Sequence, residues 1–120
     1  FEAMIYAGVQ DRDEALLVMG KDSLRVFMTC GGDGSLVYDN GEITRVPGYS
    51  VPVVDTTGAG DIYASGVLYG LANGMDNATS GKLGSFASAR IVSRIGPRLS
   101  DRLGDHIKAI LGGADPRAAL

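Results

Sequence analysis

Thr57-Gly58-Ala59-Gly60-Asp61 sets a glycine turn beside a carboxylate, just ahead of a small and apolar stretch that runs to Ala72. A helix beginning there offers free backbone N–H groups at the positive end of its dipole. Gly58-Ala59-Gly60 leaves those groups unshielded, so the turn suits an anion such as phosphate. Asp61 would repel that phosphate unless it takes a proton from a group attacking it, which points to phosphoryl transfer onto a hydroxyl. Taken alone, the same residues also describe a plain helix start, with Thr57 as cap and Asp61 answering the dipole. Spacing excludes two other phosphate motifs. The dinucleotide fingerprint needs a glycine where Tyr63 stands, and the Walker pattern fails at Gly81-Lys82 because Leu83 follows and Asp76 replaces the first glycine. A second glycine cluster, Gly31-Gly32-Asp33-Gly34, is the other place where a ligand could approach the backbone closely.

These turns need elements to hold them. Residues 1–8 read as the end of a helix stopped by Gly8, and residues 11–20 as a short helix with acids at its start and Gly20 as its stop. Residues 24–29 are β-rich and mostly apolar, which suits a buried strand of a parallel sheet. Asn40-Gly41 between two β-rich runs predicts a hairpin over 35–46. Pro47 and Pro52 punctuate a connection into a strand end at Val53-Val54-Asp55, then the glycine turn, then a helix. Gly66, Gly70 and Gly74 leave one stripe of that helix bare for close packing. Leu83, Phe86, Ala87, Ile91 and Ile95 keep helical spacing through a second helix. Leu103, Ile107, Ile110 and Leu111 do so through a third, with Ser100 as its cap and a loose tail after Gly112. The order belongs to an α/β layer architecture.

Composition narrows the function. The 120 residues suffice for one compact domain, and 45% hydrophobic with 21% charged residues is ordinary for a globular chain. A net charge of −3 argues against nucleic acid or an anionic membrane as partner, and no run reaches the roughly 18 apolar residues of a membrane helix. The single Cys30 cannot form an internal disulfide and no signal peptide is seen, so the expected compartment is reducing and cytoplasmic. Glycine, at 18 residues, is about twice its usual share. The start at Phe1, inside an apolar stretch, reads as that of a fragment.

The longer run Asp55-Thr56-Thr57-Gly58-Ala59-Gly60-Asp61-Ile62-Tyr63-Ala64-Ser65-Gly66-Val67-Leu68 resembles the C-terminal signature of the ribokinase-like (PfkB) carbohydrate and nucleoside kinases. A glycine loop at 29–35, the hairpin, and a helix leading into Arg94-Ile95-Gly96-Pro97-Arg98 extend the likeness, which is closer to adenosine-kinase-like and fructokinase-like members than to ribokinase. The resemblance implies a ribokinase-like α/β fold, with residues 1–120 as its C-terminal ATP-binding and catalytic portion. It further implies transfer of the ATP γ-phosphate to a hydroxymethyl group of a sugar or nucleoside, with Asp61 as general base and Gly58, Ala59 and Gly60 as anion hole. Thr29, Gly32 and Gly34 would meet the nucleotide, and Ser88 would face the adenine. Mg2+ is the implied cofactor, with Glu2 helping to organise it. K+ would sit near Asp55, Thr57 and the 96–98 loop, and the implied assembly is a homodimer. A strand-to-hairpin turn is the plain alternative for 31–34, and a solvated surface glutamate for Glu2. Another class of function is an inactive remnant that binds a nucleotide or a partner protein. His106 reads as a surface residue, Cys30 as a small buried one, and Asn77-Ala78-Thr79 as a helix cap rather than a glycosylation site.

Overall fold

A computed structural model describes residues 1–95, 99 and 102–118. Helix α1 (Glu2–Ala7) stops at Gly8, whose φ of 71° takes the left-handed terminating position. Helix α2 (Arg12–Gly20) starts as its acids dictate: the Asp11 side chain accepts from the Glu14 N–H at 3.0 Å. Gly20 does not stop this helix. It is the last helical residue, and a Cβ there would meet the Tyr38 ring at 2.6 Å, so glycine lets that ring lie against the helix end.

Three strands follow, β1 (Arg25–Thr29), β2 (Ser35–Asp39) and β3 (Glu42–Val46), in the order β1-β2-β3. All pairings are antiparallel, with Val26 opposite Tyr38 and Tyr38 opposite Ile43. The expectation of a parallel setting for β1 therefore fails for the described residues. The connection at 30–34 is too short for the crossover of a dozen or more residues that parallel neighbours need. The hairpin forms as expected, because Asn40 (φ 49°) and Gly41 (φ 87°) both take the positive φ of its tight turn. Ala15, Leu16, Met28 and Leu36 form one core cluster, with Ala3, Met4 and Ala7 of α1 packed against it.

Residues 53–55 form no strand. The Val54 and Asp55 N–H groups instead donate to the Val92 carbonyl at 2.7 and 3.2 Å, which pins the approach to the glycine turn against the end of a helix. That approach leads into α3 (Ala59–Ala72), which packs along α4 (Asn77–Val92). Glycine permits this closeness: a Cβ on Gly66 would lie 2.7 Å from the Gly84 Cα, and one on Gly70 2.5 Å from the Ser80 hydroxyl. Gly74 is not part of the stripe, since it lies beyond α3 with φ 72° and nothing near it. Asp76, rather than Asn77, caps α4, accepting from the Thr79 N–H at 2.7 Å. Asn77 donates its amide to Asp39 of the hairpin at 2.7 Å.

The third helical segment is divided, a 3-10 turn at Leu103–His106 followed by α5 (Ile107–Leu111). Its expected cap, Ser100, lies outside the described residues. Leu83, Phe86 and Ile110 make a second core cluster, joined by Tyr49, whose ring meets Phe86 edge-on at 5.6 Å. The segment after Gly112 is held rather than loose. Arg90 is only 4% exposed and donates to the carbonyls of Pro116 and Ala118 at 2.8 and 2.7 Å. Among the described residues no helix is long and apolar enough to cross a membrane.

Candidate active site

The Gly31–Asp33 turn, the connection after β3, the first turn of α3 and the middle of α4 enclose a cleft of about 270 Å³. It gathers residues far apart in sequence: Thr29, Gly32, Gly34, Ala59, Gly60 and Ser88 all line it. Its walls close on glycine contacts. A Cβ on Gly34, whose φ is 94°, would strike the Val46 carbonyl, and one on Gly48 would strike the carbonyl of Gly32. A Cβ on Gly32 or on Gly60 would meet nothing within 4 Å.

The entry to α3 is built by Asp55. Its Oδ1 accepts from the Thr57 N–H at 2.9 Å and from the Thr57 hydroxyl at 2.7 Å, turning the chain into Gly58. Thr57 is thereby engaged with Asp55, and Gly58 (φ 79°) takes the N-cap position instead. The Ala59 N–H donates back to the Thr56 carbonyl at 3.1 Å and the Ile62 N–H to the Gly58 carbonyl at 3.0 Å. Between them, the N–H groups of Gly60 and Asp61 find no acceptor among the described residues, as the start of a helix leaves them. Asp61 is exposed beside Gly60, and its main-chain carbonyl accepts from the Ser65 hydroxyl at 3.0 Å.

No charged side chain lines the cleft among the described residues, so an anion there meets backbone N–H groups and neutral hydroxyls. Asp33 faces away and pairs with Arg12 at 3.0 Å on the exposed side, a hydrogen bond that raises the guanidinium pKa further. Burial pushes the Tyr63 phenol above its ordinary pKa, and likewise that of Tyr49. The neighbouring Ser35 hydroxyl eases the shift at Tyr63, although the two hydroxyls do not meet hydrogen-bond geometry.

Not every expected site residue converges here. Asp55, Thr57, Gly58 and Asp61 lie along the turn but do not line the cleft, and Glu2 is on the exposed first turn of α1, which packs against α2. Among the described residues no three His, Cys, Asp or Glu side chains gather into a metal cage, and the 96–98 loop lies outside those residues. His106 is half-buried, and the Cys30 thiol, partly buried, points to the Met28 carbonyl at 3.7 Å. A larger apolar cavity of about 470 Å³ lies on another face of α3, lined by Ile62, Ser65, Gly66 and Tyr69 with α4 and the C-terminal segment. It touches neither glycine turn.

Sequence reasoning missed Tyr49, Tyr63 and Ser85 in the cleft lining. Two of them were legible in principle. Tyr63 follows Ala59 by four residues and Ser85 precedes Ser88 by three, so each shares a helix face with a residue already singled out. Tyr49 lies in an irregular connection with no periodicity to reveal it.

Residues 1–102 match the model of the pfkB family of carbohydrate kinases. A 5-dehydro-2-deoxygluconokinase of Listeria innocua is 41% identical over 86 residues, 71% of this chain and 26% of that protein. A 1-phosphofructokinase of Haloferax volcanii is 36% identical over 76 residues, 63% of this chain and 25% of the relative. The chain thus spans about a quarter of the length of these relatives. Among solved structures, an adenosine kinase from Sinorhizobium meliloti superposes with a TM-score of 0.84 at 35% identity, covering 90% of this chain and 33% of that one. A fructokinase from Vibrio cholerae, crystallised with fructose, ADP and calcium, gives 0.78 at 27% identity, covering 92% of this chain and 38% of the other. With the signature at 55–68, the paired glycine turns and a ribokinase-like arrangement all present, the chain belongs to the pfkB family of carbohydrate kinases.

Proposed function

We propose that residues 1–120 are the ATP-binding and catalytic portion of a kinase that moves the γ-phosphate of ATP to a hydroxymethyl group of a sugar or nucleoside, of the adenosine or fructose type. The observation that carries this reading is the meeting of the 31–34 glycine turn and the start of α3 on one uncharged cleft, with Asp61 exposed beside it. The triphosphate lies along the two turns, where backbone approach is unhindered at Gly32 and Gly60. Because the Ala59 N–H is engaged with Thr56, the anion hole falls to the N–H groups of Gly58, Gly60 and Asp61. The Asp61 carboxylate takes the proton of the acceptor hydroxyl. That oxygen attacks the γ-phosphorus, and the bond to the β–γ bridging oxygen breaks to release ADP. Tyr49, Val51, Val53 and Val92, with the Ser88 hydroxyl among them, give the lining the mostly apolar surface a purine base takes.

Mg2+ would be held chiefly by the phosphates of the nucleotide, where it would neutralise their charge. Asp55 and Thr57, already joined in a turn, are the residues offered for K+. The test is ATP-dependent ADP release by the complete protein carrying these residues, across adenosine, fructose, ribose and related sugars, with Asp61→Asn as control. One acceptor giving turnover that the variant lacks supports the kinase and names its substrate. A folded protein that binds ATP and turns over none of the panel moves the reading to a nucleotide-binding remnant.

A further inference from the structure

Gly31, Gly32 and Gly34 all line the cleft, and Asp33 is the one side chain among them through which the rest of the protein can hold their turn. Glycine loses the most freedom on folding, so the shape of such a turn depends on what fixes it from outside. On one side the fixing is done by backbone. Gly34, with φ 94°, lies so close to the Val46 carbonyl and the Gly48 N–H that a Cβ would collide with both. On the other side stands Arg12, whose Nη1 donates to Asp33 Oδ2 at 3.0 Å from 21 positions earlier in the chain.

The place of Arg12 calls for that partner. It is the first residue of α2, where the positive end of the helix dipole disfavours a cation and favours the acids that follow, Asp13 and Glu14. The next residue makes a second pair of opposite polarity. Asp13 accepts from Arg45 Nη2 at 2.7 Å, and Arg45 directly precedes Val46, whose carbonyl seats Gly34. The first turn of α2 thus holds both the glycine turn and its seat. We propose that Arg12 is a positioning residue for the nucleotide, holding the 31–34 turn through Asp33 in the shape that leaves Gly32 open to a bound nucleoside triphosphate. This rests on the kinase reading of the cleft. Asp33 stands outside the cleft lining, and Arg12 balances its charge, so that it repels the phosphates less. Both side chains are exposed, which makes the effect of the pair modest.

The experiment is a double-mutant cycle on the complete protein: calorimetric titration of wild type, Arg12→Ala, Asp33→Ala and the double variant with ATP, alongside the melting temperature of each without ligand. The expected result is that Arg12→Ala lowers ATP affinity about twofold to fivefold where Asp33 is present, and changes nothing where Asp33 has been replaced by alanine. Wild-type affinity in Arg12→Ala overturns the proposal. So does an equal loss in both backgrounds, which would mean that Arg12 acts on the nucleotide without Asp33. A fall in melting temperature with no change in affinity also overturns it, because the pair would then serve the fold alone. Absence of ATP binding by the wild-type protein overturns the kinase reading itself, and is seen before any variant is compared.

Discussion

Asp61 and the hydrogen-bonded carboxylates show how differently one residue type is used in this chain. Asp61 is exposed, and among the described residues the side-chain hydrogen bond made to it is at its main-chain carbonyl, which leaves the carboxylate open to an incoming molecule. Asp61→Asn should lower turnover by roughly 100-fold to 10,000-fold, the range for a positioned general base. ATP affinity, measured by titration, should stay near wild type. Asp76 and Asp115 are structural by contrast. Thr79, through its hydroxyl and then its N–H, holds Asp76 below the usual carboxylate pKa, and Arg117 brings Asp115 to about 2. A pKa depressed by folding gives stability that is present above the unfolded value of about 3.9 and is lost as pH falls through the folded value. The gap in urea midpoint between wild type and Asp76→Asn should therefore be constant from neutral pH to about 5 and close at lower pH, as Asp76 becomes protonated. A gap unchanged at pH 2 would assign the difference to something other than the charged cap.

The pairing of α3 and α4 is the element-scale feature on which the cleft depends, since α3 supplies Ala59, Gly60 and Tyr63, and α4 supplies Ser85, Ser88 and Val92. Their closeness rests on backbone meeting backbone at Gly66 and Gly84. Gly66→Ala gains helix propensity but drives its methyl to 2.7 Å from the Gly84 Cα, where no flexible side chain can yield. Overpacking of this kind costs about 1–3 kcal/mol, against under about 1 kcal/mol gained from propensity, so the variant should be destabilised in chemical denaturation. Because the helices must separate to relieve the contact, its affinity for ATP should fall as well. Gly74→Ala meets no neighbour, and its effect should come from the φ of 72° alone.

At the scale of the whole molecule, large apolar side chains face solvent over several elements: Phe1, Ile5 and Tyr6 on and before α1, Leu24 before β1, Val53 and Val54 before the glycine turn, and Leu68 on α3. Leu24 is 93% exposed and Phe1 82%, values that isolated globular chains rarely combine in this number. Residues 1–120 expressed alone should therefore self-associate and bind a hydrophobic dye. Light scattering coupled to size exclusion would test this, and a monodisperse monomer with a cooperative melt would contradict it. The cleft also spans units with separate cores, one around Leu16 and one around Phe86, so its shape depends on how those units are held together.

Local chemistry was readable from residue order. Gly8 ends α1, Asp11 opens α2, Asn40-Gly41 closes the hairpin and the 55–61 run marks the start of α3, because each is decided by φ preference or by a side chain reaching its own backbone a few residues away. The glycine turns, and the family that they signal, belong to this class. Tertiary structure alone decided that β1 pairs antiparallel, that residues 53–55 lie against Val92 rather than in a strand, and that Arg90 ties down the C-terminal segment. It also decided that Tyr63 and Ser85 face the same cleft as Gly32. Apart from β1, whose partner strand follows after a short turn, the partner lies more than twenty residues away, and no local periodicity encodes which distant surface a side chain or an N–H group will meet.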